Sequence, residues 1–221
     1  MKKYSAVVFD WDGTVMDSTY SIVSAIQAAS ADLGLPVPDA RQAAWVIGLS
    51  LESALYRCVP DIHPDQLPLF VERYRHHYFG NHNHARMKLF DGIVDVLDMI
   101  RARQGLLAVA TGKSRVGLDR ALDQAGLNET FQITRCADES AGKPDPSMLY
   151  QILDHLALEP GQILMVGDTS HDMDMAANAG VDGLAVTYGA HDEATLQASS
   201  PAGMVASVPE LQEWLRPRLP V

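Results

Sequence analysis

Cysteine is nearly absent: Cys58 and Cys136 are the two in 221 residues, far apart and without CxxC spacing or flanking histidines. That excludes a disulfide framework and a cysteine-based zinc site, and leaves two free thiols as the expectation. No apolar run reaches the roughly 18 residues a membrane span needs. Met1-Lys2-Lys3 leads straight into a strand-like segment rather than a cleavable apolar region, so the expected location is the cytoplasm. Positive charge is scarce: 17 Lys and Arg against 28 Asp and Glu give a formal net charge of −11. This disfavours nucleic acid and anionic membrane as partners. An anionic small molecule would have to be met by local positive charge or by a bound cation. Repeats and low-complexity stretches are missing, and the segment from Met16 to Ala85 contains no lysine.

What is present fits a folded α/β chain. Apolar residues make up 47% of the sequence, enough for a sizeable core. Ala6-Val7-Val8-Phe9, Leu106-Leu107-Ala108-Val109-Ala110 and Ile163-Leu164-Met165-Val166 read as buried strands, with weaker candidates at Phe131-Gln132-Ile133-Thr134 and Gly183-Leu184-Ala185-Val186-Thr187. Between them lie segments with apolar spacing of three and four: Ile93, Val96, Leu97, Ile100; Val116, Leu118, Leu122; Met148, Leu149, Ile152, Leu153, Leu156; and Met173, Ala176, Ala177. Strands alternating with helices predict a Rossmann-like three-layer core, a parallel sheet covered on both faces, with ligands at the carboxyl ends of the strands. From Met16 to Ala85 only helical patterns occur, so an all-α cap is expected over 16–85, inserted into a discontinuous core of 1–15 and 86–221.

Polar signatures fall at those strand ends: Asp10-Trp11-Asp12-Gly13-Thr14, Thr111-Gly112-Lys113, Gly142-Lys143-Pro144-Asp145-Pro146 and Gly167-Asp168-Thr169-Ser170-His171-Asp172. Singly, each could be a turn or a helix cap. Asp10 and Asp12 are harder to dismiss. Two bare carboxylates roughly 6 Å apart repel by about 3 kcal/mol at an effective dielectric near 20, or about two pKa units. A hard divalent cation reverses that effect for the groups that bind it.

The constellation resembles the haloacid dehalogenase superfamily, in its phosphatase branch with a small helical cap, over nearly the whole chain: DWDGT, ATGKSR, GKPDP and VGDTSHDMDMAANAG match the family's motifs in order and spacing. The resemblance implies a Mg²⁺-dependent hydrolase of small phosphomonoesters, phosphoglycolate phosphatase-like, working as a monomer or homodimer. By the same resemblance Asp10 is the nucleophile that becomes an aspartyl-phosphate, and Asp12 moves protons. Asp10, the backbone carbonyl of Asp12, and Asp168 hold Mg²⁺, with Asp172 reaching the ion through water. Thr111 and the amides of Gly112, Trp11 and Asp12 bind phosphate oxygens, and Lys143 sets a positive charge between phosphate and Asp10. Lys113 is either a second phosphate-side cation or a solvated residue. The Trp11 indole packs toward the cap or is an ordinary core aromatic. Thr14 is expected to secure the turn.

Residues also separate branches of the superfamily. Asp12 argues against dehalogenation, which needs no divalent cation, and a cap without lysine argues against phosphonate cleavage through a Schiff base. Val46-Ile47-Gly48-Leu49-Ser50-Leu51-Glu52 lacks the flanking cations expected of a hexose-phosphate mutase, which remains the alternative. A phosphoacceptor signalling domain is disfavoured by the helical insertion after the first strand. His76, His77, His82 and His84 read as a solvated hinge rather than a metal cluster.

Overall fold

The computed structural model describes residues 2–80 and 87–220. Six strands form one parallel sheet: β1 (Ala6–Phe9), β4 (Leu106–Thr111), β5 (Ile133–Cys136), β6 (Ile163–Gly167), β7 (Asp182–Val186) and β8 (Gly203–Val205), in the spatial order β5-β4-β1-β6-β7-β8. β1 lies between β4 and β6, pairing Phe9 with Val109 on one side and with Val166 on the other. The winding reverses at β1, which makes its carboxyl end the topological switch point of the sheet.

Strand alternation splits the side chains between two layers. Val7, Phe9, Leu107 and Val109 point into one core with Ile93, Val96, Leu97 and Ile100 of α5 (Ile93–Ala102) and Leu211 and Leu215 of α10 (Val208–Leu215). Ala6, Val8, Ala108 and Ala110 point into the other, against Met148, Leu149 and Ile152 of α7 (Ser147–Leu156) and Met175 and Ala176 of α8 (Ser170–Asn178). Both faces are covered, as the unbroken apolar runs require. The remaining core-side helices are α6 (Arg115–Ala125) and α9 (Glu193–Ala198).

Between β2 and β3 the described residues form four α-helices, α1 (Thr19–Asp32), α2 (Ala40–Trp45), α3 (Leu51–Cys58) and α4 (Leu67–Tyr78), around a hydrophobic cluster of their own that includes Ile26, Ala29, Leu55 and Phe70. This segment is entered through β2 (Met16–Asp17) and left through β3 (Lys88–Leu89), which pair antiparallel. Two-residue strands carry no readable period, so the ribbon was not expected from the sequence. Nor was β8, whose three residues become a strand only by pairing with β7. The weaker strands shift in register: β5 begins at Ile133 instead of Phe131, and β7 spans Asp182–Val186. Val116, expected on the buried face of α6, is 79% exposed, and Leu118 and Leu122, one turn apart, do the packing. Both cysteines are free and buried, and among the described residues no helix is long and apolar enough to cross a membrane.

Candidate active site

The loop after β1 begins with Asp10, whose amide donates to the Val166 carbonyl at 2.9 Å and so joins the first motif to β6. The Trp11 carbonyl then accepts from the amides of Val15 and Met16 at 3.0 and 2.9 Å, bending the chain back on itself. Gly13 is obligatory in this bend. Its φ is +81°, and a Cβ there would stand 2.1 Å from Oδ2 of Asp168.

Lys143, 0% exposed in its side chain, donates to Oδ1 of Asp10 and to Oδ1 of Asp172, both at 2.6 Å. Oδ2 of Asp172 accepts from the hydroxyl and amide of Thr169 at 2.6 and 3.1 Å. Asp168 accepts from the Thr14 hydroxyl and from the Ala190 amide, each at 2.8 Å. Asp10, Asp168 and Asp172 are all fully buried, and each offers a carboxylate oxygen within 4.8 Å of the others. Oδ2 of Asp10 has no hydrogen-bond partner among the described residues.

Three acids around one lysine are electrostatically costly. Burial pushes the Asp10 carboxyl well above the usual range, Lys143 opposes it, and Asp172 and Asp168 add to it. Burial, then Asp172, pushes Asp168 up to about 7 against the pull of Ala190, Thr14 and Lys143. Burial works against the charge on Lys143, but Asp10 and Asp172 outweigh it and raise its pKa.

Asp12 stands apart from this cluster. Its Oδ1 accepts from the Ser18 hydroxyl at 2.6 Å, and its Oδ2 pairs with Lys113 at 3.0 Å. Lys113 is therefore not a solvated residue: its side chain is 12% exposed, and it also donates to the Tyr78 hydroxyl at 3.1 Å. Burial alone would lower its pKa, but Asp12 first and then Tyr78 and Tyr74 raise it. Asp172, expected behind the ion, accepts from Lys143 at one oxygen and from Thr169 at the other. Thr14 does more than secure the turn, since its hydroxyl fixes an oxygen of Asp168. Thr111 is buried, with its hydroxyl accepting from the Lys113 amide at 3.2 Å. The Trp11 indole belongs to the sheet core, edge-on to Phe131 at 6.3 Å. Sequence reasoning missed Ser18, Tyr78 and two buried histidines, His171 and His191. Of these only His171 had a signal, its place inside the fourth motif.

His76 and His77 contact each other, and His77 pairs with Asp32 at 2.7 Å; His82 and His84 lie outside the described residues. Beside Lys113 a cavity of about 430 Å³ is lined by Trp11, Tyr78, Phe79, Met87 and Arg120, with the Arg120 guanidinium 4.3 Å from the centre of the Phe79 ring.

The family model described as haloacid dehalogenase-like hydrolase matches residues 7–186. "Probable phosphatase IndB" of Dickeya dadantii is 33% identical, over 93% of this chain and 90% of that protein. A phosphoglycolate phosphatase of Chromobacterium violaceum is 30% identical, over 96% of this chain and 98% of its own length. Among solved structures, one described as a predicted phosphoglycolate phosphatase from Haemophilus somnus superposes with a TM-score of 0.86 at 23% identity, covering 97% and 99% of the two chains. That likeness speaks for the fold. The family match spans all four motifs, and the relatives run nearly end to end with this sequence: the chain belongs to the haloacid dehalogenase-like hydrolases, on their phosphatase branch.

Proposed function

We propose that the chain hydrolyses small phosphomonoesters with Mg²⁺, through an aspartyl-phosphate formed on Asp10, in the manner of a phosphoglycolate phosphatase. The observation that carries this reading is the buried pairing of Asp10 with Lys143 at 2.6 Å, which leaves the other oxygen of Asp10 without a partner among the described residues, beside two more acids. A hard divalent cation fits such a set of donors, which is all oxygen and short of positive charge. Asp10 and Asp168 would hold it through carboxylates and Asp12 through its backbone carbonyl, with Asp172 behind them orienting Lys143. When bound, it supplies the positive charge that lets an anionic carboxylate approach an anionic phosphate.

The residues divide the work. An oxygen of Asp10 attacks phosphorus, the bond from phosphorus to the ester oxygen breaks, and Asp12 gives that oxygen its proton. Asp12 then takes a proton from water, which attacks the phosphoaspartate, releasing inorganic phosphate and restoring the carboxylate. The Thr111 hydroxyl and the amides of Trp11, Asp12 and Gly112 hold the phosphate oxygens, and Lys143 neutralises charge on the attacking side. Residues 16–85 form the cap, joined to the core by the β2/β3 ribbon, and the cavity beside Lys113 receives the leaving group. Val46, Ile47 and Leu49 of the cap loop are buried apolar residues, which supports net hydrolysis over transfer to a second phosphate site. The chain works in the cytoplasm on a free metabolite.

Asp10→Asn should lower turnover of p-nitrophenyl phosphate in Mg²⁺ by roughly 10³-fold or more, with unchanged circular dichroism. Retained turnover would remove Asp10 as nucleophile. Because the cavity exceeds what a two-carbon acid needs, the ester panel should run from phosphoglycolate to hexose and amino-sugar phosphates.

A further inference from the structure

Two histidines outside the acid cluster converge on one carbonyl. Nε2 of His171 and Nε2 of His191 each lie 3.0 Å from the oxygen of Trp45. Both imidazoles are buried, their rings meet edge to face at 5.2 Å, and the Trp45 ring packs on them at 4.9 and 6.1 Å. His171 sits on α8 directly before Asp172, and His191 follows β7, next to the Ala190 amide that binds Asp168. Trp45 comes from the other side, as the last residue of α2.

A carbonyl only accepts, so each Nε2 carries a hydrogen. For His191 the tautomer is also fixed from behind, since its Nδ1 accepts from the Ser170 amide at 3.1 Å. The last carbonyls of a helix find no partner within it. Both lone pairs of the Trp45 oxygen are met by the core instead of by the chain that follows. That chain is the loop 46–50, which presses on the second motif: a Cβ on Gly112 would stand 2.5 Å from the Gly48 oxygen and 2.4 Å from the Leu49 oxygen. The same loop reaches the fourth motif, where a Cβ on Gly48 would meet the Thr169 hydroxyl at 3.1 Å.

We propose that His171 and His191 are positioning residues for the phosphate site: by donating together to Trp45 they seat the loop 46–50 against Gly112 and Thr169. Neither histidine touches the reacting atoms. Their effect is on how tightly the phosphate group is enclosed, a kinetic consequence that rests on the phosphatase reading; the seating itself does not.

The test compares His171→Phe and His191→Phe, which keep a ring and lose the donor, with His171→Gln and His191→Gln, which keep an N–H. The Phe variants should raise KM for p-nitrophenyl phosphate about 3- to 10-fold, the worth of one hydrogen bond, with kcat little changed, and should speed hydrogen exchange of the amides of 46–50. The Gln variants should restore both toward wild type. The proposal is overturned if Phe and Gln variants behave alike, or if exchange at 46–50 is unaltered in both Phe variants. Should one Phe substitution prevent folding, the other pair makes the same comparison. A wild-type chain that turns over no ester would sink the phosphatase reading alone, and the exchange measurement would still decide the seating.

Discussion

Asp10 and Asp12 share a five-residue motif, yet each has its own lysine, Lys143 at 2.6 Å and Lys113 at 3.0 Å. The crowding read from the sequence is thus partly relieved by the protein itself, which turns the two side chains toward different elements. What stays unrelieved is the group formed by Asp10, Asp168 and Asp172 around Lys143. Within it Thr14 has a readable task, because its hydroxyl holds one oxygen of Asp168 at 2.8 Å. On the proposed role of Asp168 as a Mg²⁺ ligand, such a partner would contribute about 10- to 100-fold in metal affinity. Thr14→Val, nearly isosteric, should raise the Mg²⁺ concentration for half-maximal activity by about that factor and leave turnover at saturating Mg²⁺ near wild type. Thr14→Ser should behave as wild type in the same titration.

At the scale of elements, Arg115 secures the start of α6 next to the second motif. It donates to both oxygens of Glu139 at 3.0 and 2.8 Å, to Asp119 at 3.0 Å, and to the hydroxyl and carbonyl of Thr134 on β5. The hydrogen bonds from Arg115 hold Glu139 below the ordinary 4.5 against some burial, helped by the Cys136 amide. A carboxyl lowered in the folded state stabilises above its unfolded pKa, and that contribution is lost as pH falls through the folded value. The side chains are 29% and 34% exposed, so solvent screening keeps the contribution small. Glu139→Gln should cost roughly 0.5–1 kcal/mol in urea denaturation at pH 7, and the difference from wild type should shrink as pH falls below 4.5. The network joins residues up to 24 apart, so no local sequence pattern announced it. The β2/β3 ribbon escaped notice for a related reason, since each strand is defined by a partner about 70 residues away and not by its own two residues.

For the whole molecule, the parallel sheet brings the carboxyl ends of β1, β4 and β6 together at one end of the sheet, and the helical segment lies over it through Trp45 and the loop 46–50. Charge concentrates there with the same sign as the −11 of the chain. A cation bound to the folded state and not to the unfolded chain stabilises by about 2.7 kcal/mol at one hundred times its Kd. Adding millimolar Mg²⁺ should therefore raise the melting temperature by several degrees in differential scanning calorimetry. Asp168→Asn should abolish most of that rise while keeping the fold, because it removes charge from the cluster without emptying the space. An equal rise in both proteins would mean that Mg²⁺ acts elsewhere.

The sequence by itself determined the layered parallel core, the helical insertion and the four motifs, because unbroken apolar runs, helical spacing and strand-end acids are local signals that survive without coordinates. It also named Asp10, Asp12, Thr111, Lys143 and Asp168 for one site, which the structure brings to the carboxyl end of the sheet. Only the tertiary structure decided which charges pair. Lys113 could have been solvated until folding placed Asp12 and Tyr78 around it. Asp172 had no named partner until folding brought Lys143 to one of its oxygens and Thr169 to the other. His171 and His191, 20 residues apart, meet on the oxygen of Trp45, which lies 126 residues before the first of them. Such contacts depend on where separate elements cross, and burial then gives them their energy by removing the water that would otherwise satisfy each group alone.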